Sequence, residues 1–150
     1  MNVYCLPEFK TEYDKLMKNN SYKFVEKEIS KNYFGVSFEE ALNGRVLNNS
    51  DKAPFVKKRL KGSGGARLYL LAIVKDENIF LAFVHPKSGS LGYENISDDK
   101  KAQIQKDTYE SILLDEYYQV TLPANKLLFE HIKDVKAKIL VSQNVQPATE

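Results

Sequence analysis

The sequence predicts an α+β fold, and three observations carry that prediction. Apolar residues recur at helical spacing over residues 7–33. Three strand-like segments follow at 55–61, 66–75 and 78–85. Helical periodicity returns after Ser97. The resulting order, β-α-α-β-β-β-α plus a further C-terminal element, has segregated rather than alternating strands and helices.

Each element has a local reason. "VYC" is a short strand candidate, and Pro7 suits the first turn of the helix after it, where its missing N–H costs nothing. Phe9, Tyr13, Leu16 and Met17 share one face of that helix, which "KNNS" ends. A second helix covers about 22–33 with Phe24, Val25 and Ile29 inward, and the pair forms a hairpin. "SFEEALNG" is one helical turn with Ser37 as N-cap and Gly44 as stop. "RVLNNSDKAP" is hairpin-like. "KDEN" joins the second and third strands of the central group into an antiparallel hairpin. Ser97 and Asp98 open a helix at about 98–114. "YYQVTLPAN" is a short strand or extended segment, and 125–140 reads as an amphipathic helix with Leu127, Leu128, Ile132 and Val135 inward. Residues 1–142 are read as a single domain with a C-terminal helical extension, and 143–150 as a disordered tail.

Composition narrows the class. The chain is 43% hydrophobic and 28% charged, ordinary for a soluble globular protein. No run of eighteen apolar residues or basic-then-apolar leader is present, so neither a membrane partner nor secretion is expected. The lone Cys5 reads as a small buried hydrophobe in a reducing, cytoplasmic setting. Charge is uneven. Residues 52–75 hold seven cations and no acid, which, with a net charge of +2, leaves −5 elsewhere. A basic centre in an otherwise acidic chain calls for an anionic partner such as nucleic acid, or for a strand edge kept positive against aggregation.

Strand alternation sharpens the first reading. On 55–61, Lys57, Arg59 and Lys61 share a face, with Lys58 opposite. Arg67 opens the next strand on a face with Tyr69, Leu71 and Ile73. On the third, His85 and Lys87 fall with Ile79, Leu81 and Phe83. The polar ends of the three strands are expected to converge, with "GSGG" supplying the sharp turn. Such a cleft suits phosphodiester chemistry. Cations stabilise charge that develops on phosphorus, and histidine or a lysine crowded by other cations can move the protons. "GSGG" lacks the lysine and hydroxyl of a phosphate-binding loop, and no spacing of His, Cys or carboxylates suggests a metal or cofactor. A general nucleic-acid-binding domain, with Tyr69, Phe83 and Tyr93 offering stacking surfaces, is a further reading.

The segment "KKRLKGSGGARLYLLAIVKDENIFLAFVHPKSGSLGY", with "PEFK" opening the earlier helical hairpin, resembles the RelE/HigB-like branch of the RelE/ParE toxin superfamily. The resemblance covers about residues 2–110. It implies a small curved antiparallel sheet with the helical hairpin on one side. It also implies the toxin of a type II toxin–antitoxin module. Such a toxin is a ribosome-dependent mRNA endonuclease that works without metal or cofactor and leaves a 2′,3′-cyclic phosphate. Lys57 matches the base or 2′-oxygen activator, and Arg59 stands beside the phosphate. Arg67 matches the arginine of the transition state, His85 an acid–base position, Lys87 the leaving-group helper and Tyr93 the base-stacking tyrosine. Lys58 and Lys61 would bind RNA. The implied partners are mRNA on the ribosome and a cognate antitoxin. Arg59 stands where the family has a second lysine, and Lys87 where it has a late arginine. Arginine cannot serve as a base, and lysine does not reproduce the guanidinium fork. A non-enzymatic relative, either a gyrase inhibitor of ParE type or a degenerate toxin, is the alternative.

Overall fold

A computed structural model describes residues 1–87 and 96–144 of the chain. It is a mixed α+β fold built on one open seven-stranded sheet in the order β2-β3-β4-β5-β1-β6-β7. The strands are β1 (Asn2–Cys5), β2 (Arg45–Val46), β3 (Phe55–Leu60), β4 (Ala66–Ile73), β5 (Asn78–Pro86), β6 (Tyr118–Thr121) and β7 (Leu128–His131). The helices are α1 (Pro7–Met17), α2 (Phe24–Tyr33), the single turn α3 (Phe38–Ala41), α4 (Asp98–Leu113) and α5 (Ile132–Asn144). The sheet is larger than the small one expected. It is also not purely antiparallel, because β1 runs parallel to β5.

Each face of the sheet carries its own core. On one, Phe9, Tyr13 and Leu16 of α1 and Val25, Ile29 and Tyr33 of α2 bury against Val56, Leu60, Leu68, Leu70 and Leu81. Pro7 opens α1 as expected, and Ser37 caps α3 by accepting the Glu40 N–H at 3.1 Å. Cys5 is fully buried here, and burial pushes its thiol pKa up. On the other face, Phe55, Tyr69, Leu71, Phe80 and Phe83 meet Ile104 of α4 and Tyr117. Ser97 caps α4 by accepting the Lys100 N–H at 3.1 Å.

The C-terminal region departs from expectation. Residues 128–131 form β7 on the edge beside β6, and the helix starts only at Ile132. Leu127 and Phe129 pack on the α1/α2 face while Leu128 is exposed. That is alternation of period two in an apolar run short enough to pass for a helical one. Among the described residues no helix is long and apolar enough to cross a membrane. The helix α5 extends to Asn144, and residues 145–150 lie outside the described residues.

Candidate nucleic-acid interface

The central strands build the basic site through their register. In β3, β4 and β5, Arg59 pairs with Arg67 and Arg67 with His85, so the three stand in one row across the sheet. Lys57, Tyr69 and Phe83 form the adjacent row. The face is the one that also carries Phe55, Leu71 and α4. Tyr69 stacks on His85 with ring centroids 5.8 Å apart, and Phe83 lies 5.9 Å from the same imidazole.

His85 reaches this row by a device that alternation does not foresee. The pairing of β4 with β5 jumps from Tyr69↔Phe83 to Leu70↔Leu81, so Ala82 is an extra residue in β5. Ala82 and Phe83 consequently belong to the same core. Ile79 and Leu81 face α1 and α2 instead of sharing a face with His85 as expected. Strict alternation from Leu81 would have aimed His85 at the helices. The bulge turns it onto the arginines.

The row is cationic and poorly compensated. Arg67 is only 5% exposed. Its one hydrogen bond among the described residues is a long one, from Nη1 to the Ala66 carbonyl at 3.5 Å, and its Nε finds no acceptor there. Among the described residues no carboxylate lies within ion-pair distance of Arg67 or Arg59. A buried cation without a counter-charge is costly, and an anion delivered from outside would relieve it. Its neighbours register the same stress. Burial, then the charges of Arg67, Lys101, Arg45 and Arg59, hold the Lys57 pKa below its ordinary value. Burial lowers that of His85 too; the Pro86 carbonyl opposes this, and Arg67 and Lys57 reinforce it. His85 Nδ1 lies 2.8 Å from the Pro86 carbonyl, which only accepts, so the neutral ring carries its proton on Nδ1.

The remaining candidates divide. Lys87 follows β5 directly and is exposed; its N–H donates to the Gly65 carbonyl at 3.1 Å, which anchors it beside the turn. Gly65 takes a φ of +71°, so glycine is needed there. Gly62 is needed for space, since a Cβ would come within 2.2 Å of the Phe24 ring. Lys58 points to the α2 side of the sheet, as alternation predicts. Burial lowers its pKa, against the pull of Glu28, with help from Lys61 and Lys31. Lys61, expected beside Lys57 and Arg59, falls just beyond β3, where Glu28 Oε1 accepts its N–H at 2.6 Å. Tyr93 lies outside the described residues.

A groove of about 470 Å³ runs along the β3 edge and is lined by Lys57, Lys58, Arg59 and Lys61. Lys31 of α2 and Arg45 of β2 complete its basic wall, and sequence reasoning missed both. Arg45 is placed by its pairing with Lys57, and nothing in the local sequence signals it. Lys101 of α4, among the charges acting on Lys57, was missed for the same reason. Among the described residues no three His, Cys, Asp or Glu side chains form a metal-binding group. Compared with known proteins, the chain matches no family model and no curated sequence.

Proposed function

We propose that this protein is a RelE-like toxin: a metal-independent endoribonuclease that cleaves mRNA on the ribosome and is held in check by a cognate antitoxin in the cytoplasm. The observation that carries the reading is the buried, uncompensated Arg67 guanidinium in a row with Arg59 and His85, next to Lys57. The packing of α1 and α2 on one face of the sheet supports the reading, whereas the seven strands and the parallel pairing of β1 with β5 depart from the small antiparallel sheet that the resemblance implies.

The chemistry follows from the charges. A phosphodiester approaching the row meets Lys57 and Arg59 first, because Arg67 and His85 lie deeper. Lys57, its pKa lowered by burial and neighbouring cations, takes the proton from the ribose 2′-hydroxyl. The 2′-oxygen bonds to phosphorus while the bond from phosphorus to the 5′-oxygen breaks, giving a 2′,3′-cyclic phosphate. Arg67 and Arg59 stabilise the extra charge on the phosphoryl oxygens. The leaving 5′-oxygen receives a proton from Lys87 or from protonated His85.

The test is a cell-free translation reaction containing the purified protein, with mRNA ends mapped by primer extension. Cuts that need the ribosome and vanish with Arg67→Ala support the assignment. Cleavage at full rate by an Arg67→Ala/Lys57→Ala double variant would falsify it. One observation favours a second reading. His85 is only 2% exposed, which suits a binding protein better than a working acid–base group. A folded protein that cuts nothing yet inhibits DNA gyrase would be a non-enzymatic relative.

A further inference from the structure

The groove runs along the β3 edge opposite β4 and shares Arg59 with the Arg67 row and Lys57 with the row beside it. We infer that this groove is a second phosphate-binding track. It carries the backbone of a single RNA strand over the sheet edge, away from the cleft, on Lys31, Arg45, Lys58 and Lys61. The inference rests on the reading of the Arg67 row as a phosphodiester site and names where the next phosphates of the same strand go.

Three observations support RNA as the occupant. First, the basic wall is contiguous with the cleft, so a strand seated at Arg67 has a cationic path across the edge. Residues of β3 that face the same way recur about every 6.7 Å, a step comparable with one nucleotide of an extended strand. Second, cations outnumber acids along the groove, where Glu28 is the one carboxylate among the described lining residues. Glu28 accepts the Lys61 N–H at 2.6 Å, and among the described residues no carboxylate forms an ion pair with Lys31, Arg45, Lys58 or Lys61. Third, the edge is too occupied to take an added peptide strand. Outward backbone positions on β3 alternate from Phe55. Phe55 is bonded to Leu47 and to the Asn48 side chain, Lys57 pairs with Arg45, and Lys61 is held by Glu28. Only Arg59 is left, and strand addition needs several consecutive free positions. Side-chain charge rather than backbone pairing is what the groove offers.

The experiment measures binding of a short fluorescein-labelled oligouridylate to the full chain by anisotropy over a salt series, without ribosomes. Removing one cation that neutralises a phosphate of a single strand lowers the slope of log K against log salt by about 0.7, so Lys31→Gln/Lys58→Gln should lower it by about 1.4. Lys136→Gln, at the β6/β7 end of the sheet, should leave it unchanged. An unaltered slope in a double variant that melts like the parent overturns the track. So does the same unaltered slope with polyglutamate binding abolished in the variant, which makes the groove a peptide site. The two readings fail separately. A lowered slope with no mRNA cleavage keeps the track and removes the nuclease; ribosome-dependent cleavage with an unaltered slope does the reverse.

Discussion

The two ends of the sheet hold similar numbers of cations and use them in opposite ways. Around the β6/β7 end, four lysines each have a carboxylate. Lys133 meets Glu116 at 2.9 Å, Lys136 meets Asp115 at 2.9 Å, Lys10 meets Asp14 at 2.8 Å, and Lys138 pairs with Glu130. Lys10 also lies over the rings of Tyr118 and Phe129. At the β3 end, among the described residues, none of Arg45, Lys58, Arg59, Lys61 and Arg67 forms an ion pair. Net charge cannot distinguish these arrangements. Compensation can. Paired lysines at a surface are solvated decoration worth little, whereas an unpaired guanidinium inside a sheet is a standing cost that an anionic ligand would offset.

The largest effect that would sharpen this contrast is on activity. Arg67→Ala should lower ribosome-dependent cleavage by about 100- to 1000-fold, the range for removing one preorganised charge-stabilising donor. Lys136→Ala should leave the rate unchanged. Equal rates for the two variants would erase the functional difference between the ends. Stability should move the other way. Arg67→Met replaces a buried, uncompensated cation by an apolar chain of similar reach and should stabilise the fold by about 1 to 3 kcal/mol, read from the urea midpoint at constant m. A destabilised Arg67→Met would mean that the guanidinium is satisfied in the fold and is not waiting for a ligand.

The contrast was only partly legible in the sequence. The basic strand, the "GSGG" turn and the helical spacing of Phe9, Tyr13, Val25 and Ile29 are local signals, and they led to the correct elements. Lys57, Arg59 and Arg67 were placed on one face by alternation alone. His85 reached the same face through the Ala82 bulge, whose cause is register between strands, and a one-residue insertion leaves no mark in a uniformly apolar run. Arg45, Lys31 and Lys101 join the site from three other elements, so only tertiary packing brings them in. The β7 strand was missed because "KLLF" satisfies both periods.

A smaller effect concerns pH. The folded His85 has a pKa below its ordinary value of 6.5, through burial and then Arg67 and Lys57. Below that ordinary value the unfolded chain binds a proton that the folded chain resists. The contribution is therefore fully present above pH 6.5 and is lost as pH falls through 6.5 towards the lowered folded value. Urea midpoints across this window should decline in the parent and decline less in His85→Gln. Pyrophosphate, by seating an anion beside Arg67, should raise the imidazole pKa and shrink the loss. Parallel curves for parent and variant would show that folding does not lower the His85 pKa, and an unchanged loss with pyrophosphate would show that the cations beside it contribute nothing.

The smallest expected effect sits in the turn that joins β3 to β4. Gly65 adopts φ +71°, and a Cβ there would meet the Lys87 side chain only at ordinary contact distance, 3.6 Å. Gly65→Ala thus adds backbone strain without a clash and should cost about 1 kcal/mol by urea denaturation. Gly62→Ala differs, since its Cβ would drive into the Phe24 ring at 2.2 Å and force α2 to give way. Because α2 carries Lys31 and Glu28, that shift should weaken oligouridylate binding as well as stability, whereas Gly65→Ala should touch stability alone. If both variants lose RNA binding equally, the turn itself, rather than the α2 wall of the groove, holds the strand.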